Sequence, residues 1–364
     1  MRSLILFWIA LLCLVILDLP SAAQEPVLQW KYDAGNWFTM SMSPNSQYVV
    51  AVARIWPEGN PERGYHEVLL LDHSGRSLWK QKWDEPDDIV GGIAVSNSGY
   101  VAVASYAGLT GFLRVKGKLE SFNFIYLLDS TGKVLWRKKV EGGVRGDICI
   151  SPEGDYIAVP IDGNPLCVLD KNGDVVWCKK AEGYNSFSVQ GVSENGSIIV
   201  AHEGNSERAE AFDSGGNRIW SMENCPTSGR VSVSPNGKWA AVLVKEESED
   251  ITGLFENTFV LLDQRGATVA KGGVAAPNWQ DFSVSNDGVI ALVEEDDLRN
   301  NYVALVDLRS SSEKSRVVYR FEIPRGKHSG GLACVEISAD GEVIAVSTPY
   351  EIHYLRMKKL EKKW

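Results

Sequence analysis

Past an apolar leader, the chain alternates short apolar runs with polar turns, and the same order of runs and turns recurs seven times. In a typical unit an apolar run enters Ser-x-x-Gly, a second apolar run follows, and a third ends in Asp-x-x-Gly ahead of a run carrying Trp. Ser46 and Ser310 take the Gly place in the first turn of the first unit and the second turn of the sixth. Clear copies are Cys149-Ile150-Ser151-Pro152-Glu153-Gly154-Asp155-Tyr156-Ile157-Ala158-Val159 and Tyr126-Leu127-Leu128-Asp129-Ser130-Thr131-Gly132-Lys133-Val134-Leu135-Trp136. Runs such as Val68-Leu69-Leu70-Leu71 are apolar at every position, the mark of strands covered on both faces. No stretch beyond the leader keeps a 3.6-residue period, so the pattern predicts an all-β chain. A repeat of about 49 residues with four runs per unit predicts four-stranded blades arranged around an axis.

The repeat holds element by element. Ser43, Ser96, Ser151, Ser193, Ser234, Ser285 and Ser338 open the first turn of each unit, and Asp72, Asp129, Asp170, Asp213, Asp263 and Asp307 open the second. In the seventh unit Glu351-Ile352-His353-Tyr354-Leu355-Arg356 stands at the right distance without the Asp. Asp at the head of a tight turn accepts backbone N–H groups, and the Gly three residues on supplies a positive φ, so these predict bulged hairpins. Trp30, Trp79, Trp136, Trp177 and Trp220 close five units, with Ala270 and Tyr319 in the other two.

The ends complement each other. After the leader the chain opens on a lone outer-type strand, Val27-Leu28-Gln29-Trp30-Lys31, and it ends on the strand type that normally precedes one, Ile352-His353-Tyr354-Leu355. Pairing them completes a seventh blade and removes exposed sheet edges. The expected fold is therefore a seven-bladed β-propeller of four-stranded blades over residues 24–364, closed by its N- and C-terminal strands.

Arg2, the apolar stretch Leu4 to Leu17, Pro20 and the small residues Ser21-Ala22-Ala23 read as a secretory signal peptide over residues 1–23, too short to span a bilayer comfortably. Export to the cell surface, periplasm or medium follows, with no transmembrane segment left after cleavage. Five cysteines remain, an odd count that leaves at least one outside any intramolecular pair. Cys167 and Cys178 stand on the two arms of one hairpin, and the turn register decides between a disulfide and two buried thiols. A net charge of −10 argues against a nucleic-acid partner. No zinc-type Cys/His spacing, phosphate loop or nucleophile elbow is present, so neither a cofactor nor a catalytic residue is assigned. Asn195-Gly196-Ser197 is a glycosylation sequon placed in a tight turn. The acidic runs Glu246 to Asp250 and Glu294 to Asp297 lack a calcium-loop spacing and read as solvated charge.

Within a blade of strands a to d, the a–b and c–d turns lie on one face and the b–c and d–a loops on the other. The first set is short and uniform; the second contains the long stretches Arg54 to His66, Tyr106 to Asn123, Lys245 to Asn257 and Glu294 to Asn300. Binding residues concentrate on variable loops held by a rigid scaffold. The d–a loops place Trp37, Asp88, Arg145, Asp147, Tyr184, Trp279, Asp281, Arg325 and His328 at the mouth of the channel, a candidate binding rim for a sugar or small polar group. The stretch Leu109 to Val115 is expected to form an extra hairpin over the channel.

The text of the blades resembles two known groups. Leu128-Asp129-Ser130-Thr131-Gly132-Lys133-Val134-Leu135-Trp136 is similar to the repeat of PQQ-binding-like propellers, and Val233-Ser234-Pro235-Asn236-Gly237-Lys238-Trp239-Ala240-Ala241-Val242 to the strand pair of exported WD40-like propellers. The quinone-dependent enzymes among the former have eight blades and commonly a vicinal Cys pair, which this chain lacks. The propeller scaffold of bacterial outer-membrane assembly is similar in style, and it too has eight blades and a lipid signal missing here. The resemblance implies the propeller class and not an activity, since both groups include enzymes and scaffolds. The function expected from the loop-rich b–c/d–a face is that of an exported, non-catalytic propeller that binds a protein or glycan of the cell envelope. The alternative is a hydrolase, lyase or oxidoreductase working at the channel mouth.

Overall fold

The structure, a computed structural model, describes residues 26–357 apart from 34–35, 56–63, 84–87, 108–112, 116–117, 121–122, 141–147, 162–164, 182–186, 198, 204–206, 226–230, 248–254, 274–277, 296–299, 311–316, 324–333 and 349. The leader lies outside the described residues, and among these no helix is long and apolar enough to cross a membrane.

After the opening strand β1 (Val27–Asp33), blade 1 comprises β2 (Asn36–Met42), β3 (Tyr48–Ile55), β4 (Tyr65–Asp72) and β5 (Ser77–Trp83). Blade 2 comprises β6 (Asp88–Val95) and β7 (Val101–Ala107), an inserted pair β8 (Leu113–Val115) and β9 (Lys118–Glu120), then β10 (Asn123–Leu128) and β11 (Val134–Val140). Blade 3 has β12 (Cys149–Ile150), β13 (Tyr156–Pro160), β14 (Pro165–Asp170) and β15 (Val175–Lys180). Blade 4 has β16 (Phe187–Val192), β17 (Ile199–Glu203), β18 (Arg208–Phe212) and β19 (Arg218–Met222). Blade 5 has β20 (Val231–Val233), β21 (Trp239–Glu247), β22 (Phe255–Asp263) and β23 (Thr268–Gly273). Blade 6 has β24 (Asn278–Val284), β25 (Ile290–Glu295), β26 (Asn301–Val306) and β27 (Val317–Ile323). Blade 7 has β28 (Cys334–Ile337), β29 (Val343–Ser347) and β30 (Glu351–Arg356), and β1 pairs antiparallel with β30 as its fourth strand.

The expected all-β propeller with seven four-stranded antiparallel blades is what forms, and the terminal strands close it. Each of seven apolar clusters spans one junction between neighbouring blades. Val50, Val52 and Leu70 of blade 1, for example, meet Val90, Val101 and Val103 of blade 2. Every central strand thus serves two clusters, which is why both of its faces are apolar in sequence.

The six Asp turns carry a register slip between strands c and d, as between Leu127 and Leu128, which is the expected bulge. Asp129 accepts from the backbone N–H of Thr131 at 2.9 Å and of Lys133 at 3.1 Å. The Trp of one blade then lies over the turn of the next. Gly132 has φ +85°, and a Cβ there would sit 2.9 Å from Cγ of Trp79, so the position needs glycine for its backbone and for the ring above it. Trp30, Trp136 and Trp177 also donate Nε1–H to the turn carbonyls of His73, Lys171 and Ser214 at 2.9, 2.8 and 3.1 Å.

The two junctions without Trp have physical causes. Between blades 5 and 6 Ala270 stands in the Trp place, and the buried Leu308 of the next turn joins the same cluster and fills the room. Between blades 6 and 7 there is no turn to receive a Trp, because strands c and d of blade 7 are the two ends of the chain. Closure is stitched instead by side chains of β1 and β30. Trp30 stacks on Tyr354 with centroids 4.8 Å apart, and Lys31 pairs at 2.5 Å with the buried Glu351, which also bonds His353 at 3.2 Å. The Tyr354 hydroxyl donates to Ser46 O of blade 1 at 2.8 Å.

The hairpin register puts Cys167 directly opposite Cys178, with Cα atoms 4.1 Å apart, and the two form a disulfide. Cys149, Cys225 and Cys334 keep their thiols.

Replacing Trp136 by Ala removes the ring from the blade 3 turn and is expected to lower unfolding free energy by about 3 kcal/mol. Trp136→Phe keeps most of the packing and loses about 1 kcal/mol with the hydrogen bond. Urea midpoints with unchanged slopes would check both, and equal losses would show that the N–H bond, not the ring, holds the junction.

Candidate functional site

The inner strands β2, β6, β12, β16, β20, β24 and β28 surround a central channel of about 220 Å³. Its wall mixes aliphatic side chains with hydroxyl, amide and thiol groups, among them Ser41, Gln190, Ser232, Ser283, Cys149 and Cys334, and two carboxylates, Asp281 and Glu336. Asp281, expected at the rim, is 6 % exposed and set into that wall. It accepts from the N–H of Phe282 at 2.9 Å and of Val335 at 3.0 Å, clipping blade 6 to blade 7. Ser232 clips blade 5 to blade 6 in the same way, accepting from Val284 N–H at 3.2 Å, and Ser283 donates to Glu336 at 3.3 Å.

One end of the channel is a collar of Ser turns. Every turn Ser is buried. Among the described residues six of the seven accept a backbone N–H from the residue that follows the turn, as Ser151 does from Tyr156 at 3.1 Å, whereas the Ser193 hydroxyl bonds that of Ser197 at 2.9 Å. Neighbouring turns are bonded to one another: Asn97 N–H to Pro152 O at 2.8 Å, Glu194 N–H to Pro235 O at 2.8 Å, Asn286 N–H to Ala339 O at 3.0 Å, and Ala339 N–H to Pro44 O at 2.7 Å. Asn97 and Asn286 extend the ring through their side chains, taking the N–H of Asn45 and of Asn236 at 2.9 Å each. Backbone groups on this face are thereby committed to holding blades together. Asn195 of the sequon sits on the same face, exposed, with φ +52°.

The opposite end is where the rim was expected. Arg145, Asp147, Tyr184, Arg325 and His328 lie outside the described residues. Trp37, Asp88 and Trp279 are placed by backbone only, on the opening residues of β2, β6 and β24. Several stretches read as loops are strand. β21 and β22 pair out to Glu247 and Phe255, so both ends of the Lys245 to Asn257 stretch are strand, and 248–254 lie outside the described residues. Glu294 belongs to β25, is buried, and bonds Arg320 at 2.8 Å instead of standing in a solvated acidic run. In the blade 2 insertion β8 and β9 pair with each other and, among the described residues, with no blade. Of the expected Leu109 to Val115 hairpin only Leu113 to Val115 takes part, its partner being Lys118 to Glu120, and 109–112 lie outside the described residues.

His66, read as an insertion residue, is buried in β4, and its Nδ1 accepts the N–H of Val90 in β6 at 3.0 Å. Burial, reinforced by the nearby charge of Arg54, lowers its pKa to about 4. Burial also lowers the pKa of His353, with Glu351 opposing and Lys31 assisting. Among the described residues no group of three or more His, Cys, Asp or Glu converges to hold a metal ion.

A family profile described as outer membrane protein assembly factor BamB, PQQ_2, matches residues 65–234 and 121–348. The chain belongs to the PQQ_2 family. No curated protein matches it. Among solved structures, the β-propeller domain of Cps50 (Swd1) from Myceliophteria thermophila is 12 % identical, with a TM-score of 0.62 over 92 % of this chain and all of that one. At that identity the likeness shows the propeller fold alone. For this PQQ_2 member the collar asparagines and the channel-wall Ser, Gln and Glu residues were not singled out from sequence. The signal available was the Asn one or two places after the turn Ser, and the polar positions inside the runs that lead into those turns.

Because both histidines are less basic folded than unfolded, the unfolded chain takes up more protons at acid pH. Stability is therefore expected to be full above about pH 6.5 and to fall as pH drops towards 4, with His66 contributing up to about 3 kcal/mol. His66→Leu strands the buried Val90 N–H, costs about 2 kcal/mol at pH 7 and flattens the acid slope. Chemical denaturation at a series of pH values would check this, and an unchanged slope in the variant would refute the assignment.

Proposed function

We propose that this chain is an exported, non-catalytic propeller scaffold that binds a protein or glycan of the cell envelope through its b–c and d–a face. The observation that carries the reading is the contrast between the two faces. On one, the Ser collar and the Trp-covered Asp turns commit backbone and side chains to joining blades. The other holds the longer connections, including the self-paired β8–β9 hairpin, which among the described residues pairs with no blade. Variable segments on a rigid frame are the usual place for recognition. The family description names an assembly factor for outer membrane proteins, which supports an envelope setting and a scaffolding role. The Cys167–Cys178 disulfide supports an oxidising compartment, consistent with the leader.

Deleting residues 108–122 and joining β7 to β10 with a short Gly/Ser turn removes the insertion while sparing the blade. The deleted protein is expected to keep its melting temperature within about 4 °C and to lose at least tenfold in affinity for envelope extract captured on the immobilised wild type. Equal capture by both proteins would place recognition elsewhere.

A further inference from the structure

The outermost strands of three consecutive blades share a charge that the rest of the molecule does not. β5 carries Lys80 and Lys82, β11 carries Arg137, Lys138 and Lys139, and β15 carries Lys179 and Lys180, with no acidic residue in any of the three. Each of the other four outer strands has one basic residue, and two of them have an acidic one as well. This happens in a chain whose acidic residues outnumber its basic ones 47 to 37. β11 is the centre of the basic wall. It is also an open edge, bonded to β10 on one side and, among the described residues, to no strand on the other. At the end of β11 nearest its Asp turn Val134 and Leu135 are each 44 % exposed.

We infer that the outer edge of blade 2 docks an acidic, extended segment of a partner protein, added as a fifth strand along β11. An open edge offers a row of backbone donors and acceptors that an extended peptide satisfies. Lysine and arginine along such an edge repel a second copy of the same edge, and the same charges select a strand of opposite sign. The cations are held in place: the Arg137 guanidinium lies 3.6 Å from the Phe124 ring centroid, and Lys138 bonds Gly173 O of blade 3. Val134 and Leu135 supply apolar contact beside them. Three of seven blades span roughly 150° of the ring, a convex wall that a flat bilayer would touch at one blade only, whereas an extended chain follows one edge.

The probe is a fluorescein-labelled twelve-residue peptide alternating Glu and Thr, titrated into the leader-free protein by anisotropy. The expected result is saturable binding that weakens at least tenfold in Leu135→Asp and in Lys139→Glu combined with Lys133→Glu, Lys133 being the exposed lysine immediately before β11, both variants melting like wild type. A peptide of equal charge with three Thr replaced by Pro should also bind at least tenfold more weakly, because it lacks the backbone donors. Hydrogen exchange should slow on binding within residues 134–140. Absence of binding overturns the inference. So does equal binding of the Pro peptide, which would mean a polyanion site, or phosphatidylglycerol vesicles that bind undisplaced by the Glu-Thr peptide, which would mean a membrane surface.

Discussion

The ring stands on one repeated contact, the indole of an outer strand laid over the glycine turn of the next blade. A blade is a small sheet with two apolar faces, and alone it would expose both. The contact fixes where each face meets its neighbour, at the periphery where blades diverge and packing would otherwise be thinnest. It works only where the turn is bare and close, which is why Gly132 beneath Trp79 accepts no side chain. Where the indole is missing the structure compensates: Leu308 fills the space beside Ala270. Blade 7 replaces the turn altogether with a Trp30–Tyr354 stack and a pair between the exposed Lys31 and the buried Glu351.

At the inner radius a different bond does the corresponding job. The Ser turns hydrogen-bond to each other around the channel, and Asp281 and Ser232 take backbone N–H groups of the adjoining blade. These groups are polar and line an opening, so they resemble a binding site in composition. Their geometry says otherwise for Asp281, whose two oxygens each accept a buried N–H and are committed to holding strands together. The channel wall is thus better understood as the hub of the assembly than as a reactive centre.

How much of this was legible beforehand follows from the range of each interaction. Turn chemistry is local: Asp, Ser and Gly at fixed offsets dictate the hairpins whatever surrounds them, so blade count, strand order, bulges and even the closure by the chain ends could be read from residue order. The disulfide was legible only as a question, because the bulge that sets Cys167 opposite Cys178 shifts register by one residue. His66 and Glu294 were misread as loop residues because a polar side chain ending an apolar run marks a strand boundary by pattern. Both in fact continue their strands and bury their polar ends against Val90 N–H and Arg320.

The sequence by itself determined the fold, since each unit carries its own strand and turn instructions and seven such units leave one way to cover every apolar face. Tertiary structure alone decided which polar residues are spent on cohesion and which remain for partners. It also brought the basic outer strands of blades 1 to 3 side by side. Those decisions depend on contacts between residues some fifty positions apart, such as Asp281 with Val335, and a one-dimensional pattern records spacing but not which neighbour answers across a junction.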